Sequence, residues 1–124
     1  MTPRIALTLA AVLLFVAVAT GAFGAHALRA RLGPDALALW QTAVQYHFWH
    51  GLGLLGVATL LPHRPQSAGL RLSAVLFVAG ILLFSGSLYA LALTGTKAFG
   101  IATPFGGVAF LGAWAALAWA AWRG

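Results

Sequence analysis

Four apolar runs, near residues 5–23, 41–61, 70–93 and 102–122, are separated by three short polar links. Each run is close to the ~20 residues a helix needs to cross ~30 Å of hydrocarbon. None of them alternates with a period of two, which excludes the strands of a membrane barrel. The pattern therefore predicts one all-α integral membrane domain over residues 1–124. It consists of four transmembrane helices in an up-down-up-down bundle, near 5–23, 35–61, 70–93 and 102–122.

The links support these boundaries. Gly33-Pro34-Asp35 reads as a helix stop followed by a new start, with the proline in the first turn and the carboxylate at the positive end. Pro62-His63-Arg64-Pro65 ends the second helix, since neither proline can continue it. Thr103-Pro104 reads as an N-cap and first-turn proline. Arg4, the first run and Ala17-Val18-Ala19 have the look of a secretory signal peptide. The apolar run is longer than a usual signal core, however, and continues through Ala25, so a retained first helix is expected.

Small residues recur every fourth position at Ala17-Gly21-Ala25, Gly86-Ala90 and Gly112-Ala116-Ala120. Such faces let helices approach closely. The second run is different in kind. Its first turns read Trp40-Gln41-Thr42-Ala43-Val44-Gln45-Tyr46-His47-Phe48-Trp49-His50. Polar side chains at membrane depth are costly and mark a pathway, a site or a helix contact. An up-down-up-down path brings this stretch to the same leaflet as His26, as Ser85, Ser87 and Tyr89, and as Thr103 with Gly106-Gly107.

Composition sharpens the picture. Hydrophobic residues make up 62% of the 124 positions and charged residues 6%, against roughly a quarter charged in a soluble domain. The net charge of +6 arises from Arg4, Arg29, Arg31, Arg64, Arg71, Lys97 and Arg123, scattered singly beside apolar runs. Nucleic-acid binding wants a basic patch or stripe, so nucleic acid is excluded as a partner. Arg4, Arg64, Arg71 and Arg123 fall on one side of the predicted bundle and Arg29, Arg31 and Lys97 on the other. The positive-inside rule then places both termini in the cytoplasm. There is no cysteine, which removes disulfides, thiolate metal sites and thiol catalysis.

The candidate site comprises His26, Gln45, His47, His50, Ser85, Ser87, Tyr89 and Thr103. One reading is structural: these side chains satisfy one another between helices. A second is a polar site or path for a small molecule or proton, since histidine titrates near neutral pH. A third is haem or metal binding, because His47 and His50 lie three apart on a helix. Asp35 is the sole acid, so ligands beyond the histidines are scarce and a Ser-His-Asp triad has no buried orienting carboxylate. Hence no cofactor and no enzymatic activity are expected.

Gly21-Ala22-Phe23-Gly24-Ala25-His26, Trp40-Gln41-Thr42 with Gln45-Tyr46 and His50, Leu83–Leu93 and Thr103-Pro104-Phe105-Gly106-Gly107, followed by Phe110 and Gly112-Ala113-Trp114, carry a resemblance. The chain resembles the domain-of-unknown-function family 423, which groups small bacterial inner-membrane proteins with their animal relatives, the transmembrane protein 256 group. The resemblance implies a multi-pass helical protein of a bacterial cytoplasmic membrane with a retained first helix. It supplies no catalytic residues and puts the emphasis on His26 and His50. The expected activity is non-enzymatic: the polar leaflet binds a partner helix, a lipid or a small molecule. The partners expected are the lipid bilayer and either a homo-oligomer or another membrane protein. A small oligomeric transporter or channel is the alternative.

Overall fold

The computed structural model describes residues 1–124. All regular structure is helical. Helix α1 spans Pro3–Leu28, widening into a π-helical turn at Gly24–Leu28. Helix α2 spans Pro34–Leu60 and runs into a 3₁₀ turn at Leu61–His63. Helix α3 spans Ala68–Thr94 and carries a second π-helical turn at Ile81–Ser85. A 3₁₀ turn at Lys97–Ile101 then leads into helix α4, Thr103–Arg123.

Three of the helical stretches are long and apolar enough to cross a membrane by length and composition: Pro3–Leu28, Ala68–Thr94 and Lys97–Arg123. With 27 residues α2 has the length. The polar side chains from Gln41 to His50 dilute its apolar character.

Local chemistry explains the ends. Thr2 caps α1 by accepting from the Ile5 N–H at 3.1 Å, and Ser67 caps α3 through the Leu70 N–H at 3.2 Å. Prolines 3, 34 and 104 occupy first turns, where a missing N–H costs nothing. Helix α3 stops at Gly95, whose φ of 70° is readily available to glycine. One expectation is corrected here. Ala102, not Thr103, holds the cap position of α4, and the Thr103 hydroxyl is used elsewhere.

Neighbouring helices pack in reversed order. Gly24 faces Trp40 while Gly51 faces Leu14. Ser85 reaches Ala43 while Gly53 faces Phe77. Between α3 and α4, Gly69 faces Ala120, Ser73 reaches Ala113 and Gly106 lies on Phe84. One half of the interior is apolar, built from Ala6, Ala10, Leu54, Val57, Leu61, Leu70, Phe77 and Ala113. Large apolar side chains such as Phe15, Val18, Leu82, Val108 and Leu111 point outward, an exterior suited to lipid rather than water.

The small-residue stripes are realised differently from the fourfold pattern. On α1 the buried small residues are Ala6, Ala10, Ala17 and Gly24, whereas Ala25 is exposed. Their spacing of four and seven follows the 3.5-residue period of left-handed helix packing. At Gly86 a side chain would meet only the Ile81 carbonyl, at 4.0 Å, so this glycine is not a packing contact. The close approaches are Gly24 on Trp40, Gly80 on Phe110 and Gly106 on the Phe84 backbone. Glycine wins there because any Cβ would occupy the neighbour's volume.

Candidate functional site: a polar layer between the helices

Three sets of contacts involve the polar residues of the bundle interior. The first joins α1, α2 and α3. The Tyr89 hydroxyl stands 2.9 Å from His47 Nδ1 and 3.0 Å from Thr20 Oγ1. Thr20 also donates to the Ala17 carbonyl at 3.1 Å. Beside it, Trp40 Nε1 donates to the Thr20 carbonyl at 2.9 Å, and the Trp40 and Tyr89 rings pack 4.6 Å apart. That carbonyl precedes the π turn of α1, where the regular backbone ladder changes register. The Thr20 carbonyl also receives the Gly24 N–H, so the indole adds a second bond to an acceptor at an irregular point of the helix.

His47 is 2% exposed, and its Nε2 has no hydrogen-bond partner. The Leu13 backbone carbonyl neighbours the ring without reaching hydrogen-bonding geometry. Two proton orders can be written for the His47–Tyr89 pair. Either Tyr89 donates to Nδ1 and His47 carries its proton on Nε2, or Nδ1–H donates to Tyr89, which donates to Thr20. Of the two, only the second agrees with Thr20 giving its single proton to the Ala17 carbonyl, because Tyr89 must then donate to Thr20 and accept from His47 Nδ1–H.

The second set joins α3 to α2 and α4 at the π turn. Ser85, fully buried, donates to the Ala43 carbonyl at 2.8 Å. Ser87 bonds the Thr103 hydroxyl at 2.6 Å and donates to its own helix at the Phe84 carbonyl, 2.9 Å away. With its proton on the Phe84 carbonyl, Ser87 accepts from the Thr103 hydroxyl, so Ser87 links Thr103 to Phe84. A π turn shifts side chains around the helix by part of a turn, and Ser85 and Ser87 use it to face different neighbours.

The third set is aromatic. His50 Nδ1–H donates to the Tyr46 carbonyl at 2.7 Å, which leaves Nε2 as the acceptor nitrogen of the neutral ring. The ring stacks on Phe110 with centroids 3.5 Å apart and planes 10° from parallel. Tyr46, Phe77, Phe84 and Trp114 complete this aromatic group.

The eight sequence candidates divide accordingly. His47, Tyr89, Ser85, Ser87 and Thr103 enter helix-to-helix hydrogen bonds. His50 is buried but bonds within its own helix. His26 and Gln45 are exposed, and neither makes a hydrogen bond with another part of the chain. His26 stands apart from these contacts, in the π turn at Gly24–Leu28 with its side chain exposed. His47 and His50, three residues apart, turn to different neighbours, Tyr89 and Phe110. No group of three His, Cys, Asp or Glu side chains converges.

Comparison with known proteins follows the same residues. The family described as "Protein of unknown function (DUF423)" matches residues 20–107. The chain belongs to this family. Among its relatives are the UPF0382 inner membrane protein YgdD of Escherichia coli (strain K12), 43% identical over 93% of this chain and 87% of its own length. The UPF0382 membrane protein YwdK of Bacillus subtilis (strain 168) is 42% identical over 90% of both chains. The UPF0382 membrane protein SH2409 of Staphylococcus haemolyticus is 37% identical over 90% of this chain and 89% of its own. No solved structure matches.

The matched span begins at Thr20 and closes just after Gly106. It contains every side chain of the first two hydrogen-bonded sets. Sequence reasoning missed Thr20, the indole N–H of Trp40 and Ser73, whose hydroxyl donates to the Ala113 carbonyl at 2.8 Å. Thr20 and Ser73 each stand between small or apolar neighbours in the sequence, Ala19 and Gly21 for the one and Leu72 and Ala74 for the other. The only available signal was that a hydroxyl so placed needs a backbone or cross-helix acceptor.

Proposed function

We propose that this is a non-enzymatic, multi-pass protein of the bacterial cytoplasmic membrane, and that its α1–α2 cleft docks a partner transmembrane helix. In this reading all four helices span the bilayer, up-down-up-down, with both termini cytoplasmic. The basic bias of Arg4, Arg64, Arg71 and Arg123 over Arg29, Arg31 and Lys97 supports that orientation. The names of the relatives, inner membrane protein in E. coli and membrane protein in B. subtilis, support the placement.

The observation that carries the docking reading is the pair Gln41 and Gln45. They sit one helical turn apart, exposed, with no hydrogen bond inside the chain. They line a cleft of about 250 Å³ with Gly21, Gly24 and Ala25 of α1 and Trp40 of α2. Amides facing hydrocarbon gain by bonding across to another helix, and small residues let that helix come close. A primary amide both donates and accepts, so a two-fold contact between identical clefts is self-complementary. A second copy of the chain is accordingly the occupant proposed.

The non-enzymatic reading draws on the use of each buried hydroxyl in a bond to a backbone or to another helix. The alternative of a transporter or channel finds little support in the purely apolar interior around Leu54, Val57, Leu70 and Phe77, which lines no polar path.

The absence of cysteine makes the test direct. Gln45→Cys in native membranes should form a disulfide-linked dimer on oxidation, and Leu82→Cys on the outer face of α3 should not. Monomer only from Gln45→Cys, at equal expression, would sink self-association through this cleft. His63→Cys and Ala98→Cys, labelled with impermeant thiol reagents, should report opposite sides of the membrane. Labelling from one side would overturn the four-span arrangement.

A further inference from the structure

At the end of the bundle away from the polar layer, basic side chains gather with no side-chain carboxylate to neutralise them. The chain's one acid, Asp35, stands in the first turn of α2, at the other end of that helix. Two of these cations are held in place by the fold. Arg64 Nη1–H donates to the Ala120 carbonyl at 2.8 Å, near the end of α4. The Arg123 guanidinium lies over the Trp119 ring, 5.3 Å from its centroid. Both arginines line one recess of about 440 Å³, which Ser67, Gly69 and Gly124 help to close. The first turn of α3 forms part of its wall, so the positive end of that helix adds to the field. Arg64 also borders an adjoining apolar recess formed with Leu60, Leu70 and Leu117.

We propose that this recess binds the phosphate of an anionic phospholipid from the cytoplasmic leaflet, contacted by Arg64 and Arg123, with an acyl chain along the Leu60–Leu70–Leu117 groove. The chemistry is that of an oxyanion between two pre-positioned guanidinium groups, the geometry that arginine suits best. Basic pockets between helices at the cytoplasmic side favour such headgroups. The continuity of the charged recess with an apolar groove at Arg64 favours a lipid over a free phosphate. Trp119, an amphipathic ring on the recess wall, suits the headgroup level. The inference rests on the membrane placement proposed above, though not on docking at the α1–α2 cleft.

The test uses the full chain in detergent. Retention of phosphatidylglycerol is compared with retention of phosphatidylcholine of the same acyl chains by native mass spectrometry. Wild type should retain phosphatidylglycerol preferentially. Arg123→Gln, which removes no hydrogen bond of the fold, should weaken that retention roughly fivefold, and the Arg64→Gln/Arg123→Gln double variant roughly thirtyfold. Arg29→Gln/Arg31→Gln, with the same loss of charge at the opposite end, should retain the lipid as wild type does.

Equal retention in wild type and Arg123→Gln would overturn the site, whether or not the double variant folds. An equal loss in Arg29→Gln/Arg31→Gln would overturn it too, by showing net charge rather than a recess. Displacement of the lipid by millimolar inorganic phosphate would assign the site to a free oxyanion and overturn the lipid. Flotation with phosphatidylcholine vesicles separates the two levels. Failure to insert would refute the membrane placement, whereas insertion without phosphatidylglycerol preference would refute the recess alone.

Discussion

Gly106 lies directly on the backbone of Phe84, so that a Cβ at 106 would fall on the Phe84 amide nitrogen, Cα and Cβ. This contact brings the start of α4 against the π turn of α3, beside the Ser87–Thr103 bond. Backbone cannot swing aside as a flexible side chain can. Gly106→Ala should therefore cost about 1–3 kcal/mol, the usual penalty of overpacking, read as a lower unfolding midpoint in detergent. Gly86→Ala, with open space at its Cβ, should be neutral or stabilising by about 0.5–1 kcal/mol through helix propensity. The reverse order of the two variants would refute the packing described.

The bond between Tyr89 and His47 predicts an energetic coupling. Tyr89→Phe removes the hydroxyl that serves both His47 Nδ1 and Thr20 Oγ1. In a membrane protein such bonds average about 0.6 kcal/mol and reach about 1.7. A double-mutant cycle of Tyr89→Phe with His47→Phe should show coupling in that range. Strict additivity would mean that the two side chains do not meet.

Ser73 and Ser85 make the same kind of bond to Ala113 and Ala43 on opposite sides of α3. Each accepting carbonyl belongs to a helix and keeps its backbone bond, so losing the serine leaves no orphaned group. Ser73→Ala and Ser85→Ala should each cost under about 1 kcal/mol and should add when combined, as separated sites do. Chemical-denaturant titration in mixed micelles would measure this. A loss of several kcal/mol from either alone would point to a further partner for that hydroxyl.

Trp40 offers a spectroscopic check. A methyl at position 24 would lie 2.5 Å from the indole Cδ1 and Nε1. Gly24→Ala should thus push the ring off the Thr20 carbonyl and move one indole N–H resonance out of five toward its free value. An unmoved spectrum would show that the bond to Thr20 is absent or that the ring has room to spare.

Helix number, helix ends and the helical, membrane-embedded class were legible in the chain because each depends on neighbours in sequence. Run length sets what can span hydrocarbon, prolines and capping residues set the starts, and Gly95 supplies a left-handed stop for α3. The convergence of α2, Ser85–Tyr89 and Thr103 was equally legible, since short links allow few ways to return.

Which side chains meet was decided only by tertiary structure. The two π turns rotate everything beyond them by part of a turn, exposing His26 and aiming Ser85 and Ser87 at different helices. No periodicity in the sequence marks that rotation. Close approach is likewise a property of pairs: Gly86 and Gly106 look alike in the chain, and only the latter has a backbone pressed against it. Thr20 and Trp40 lie twenty residues apart and share a bond because α1 and α2 fold back on each other. Composition and local spacing thus determined what the protein is made of and what medium suits it. The third dimension decided which polar groups are satisfied within the chain and which, like Gln41 and Gln45, still face outward.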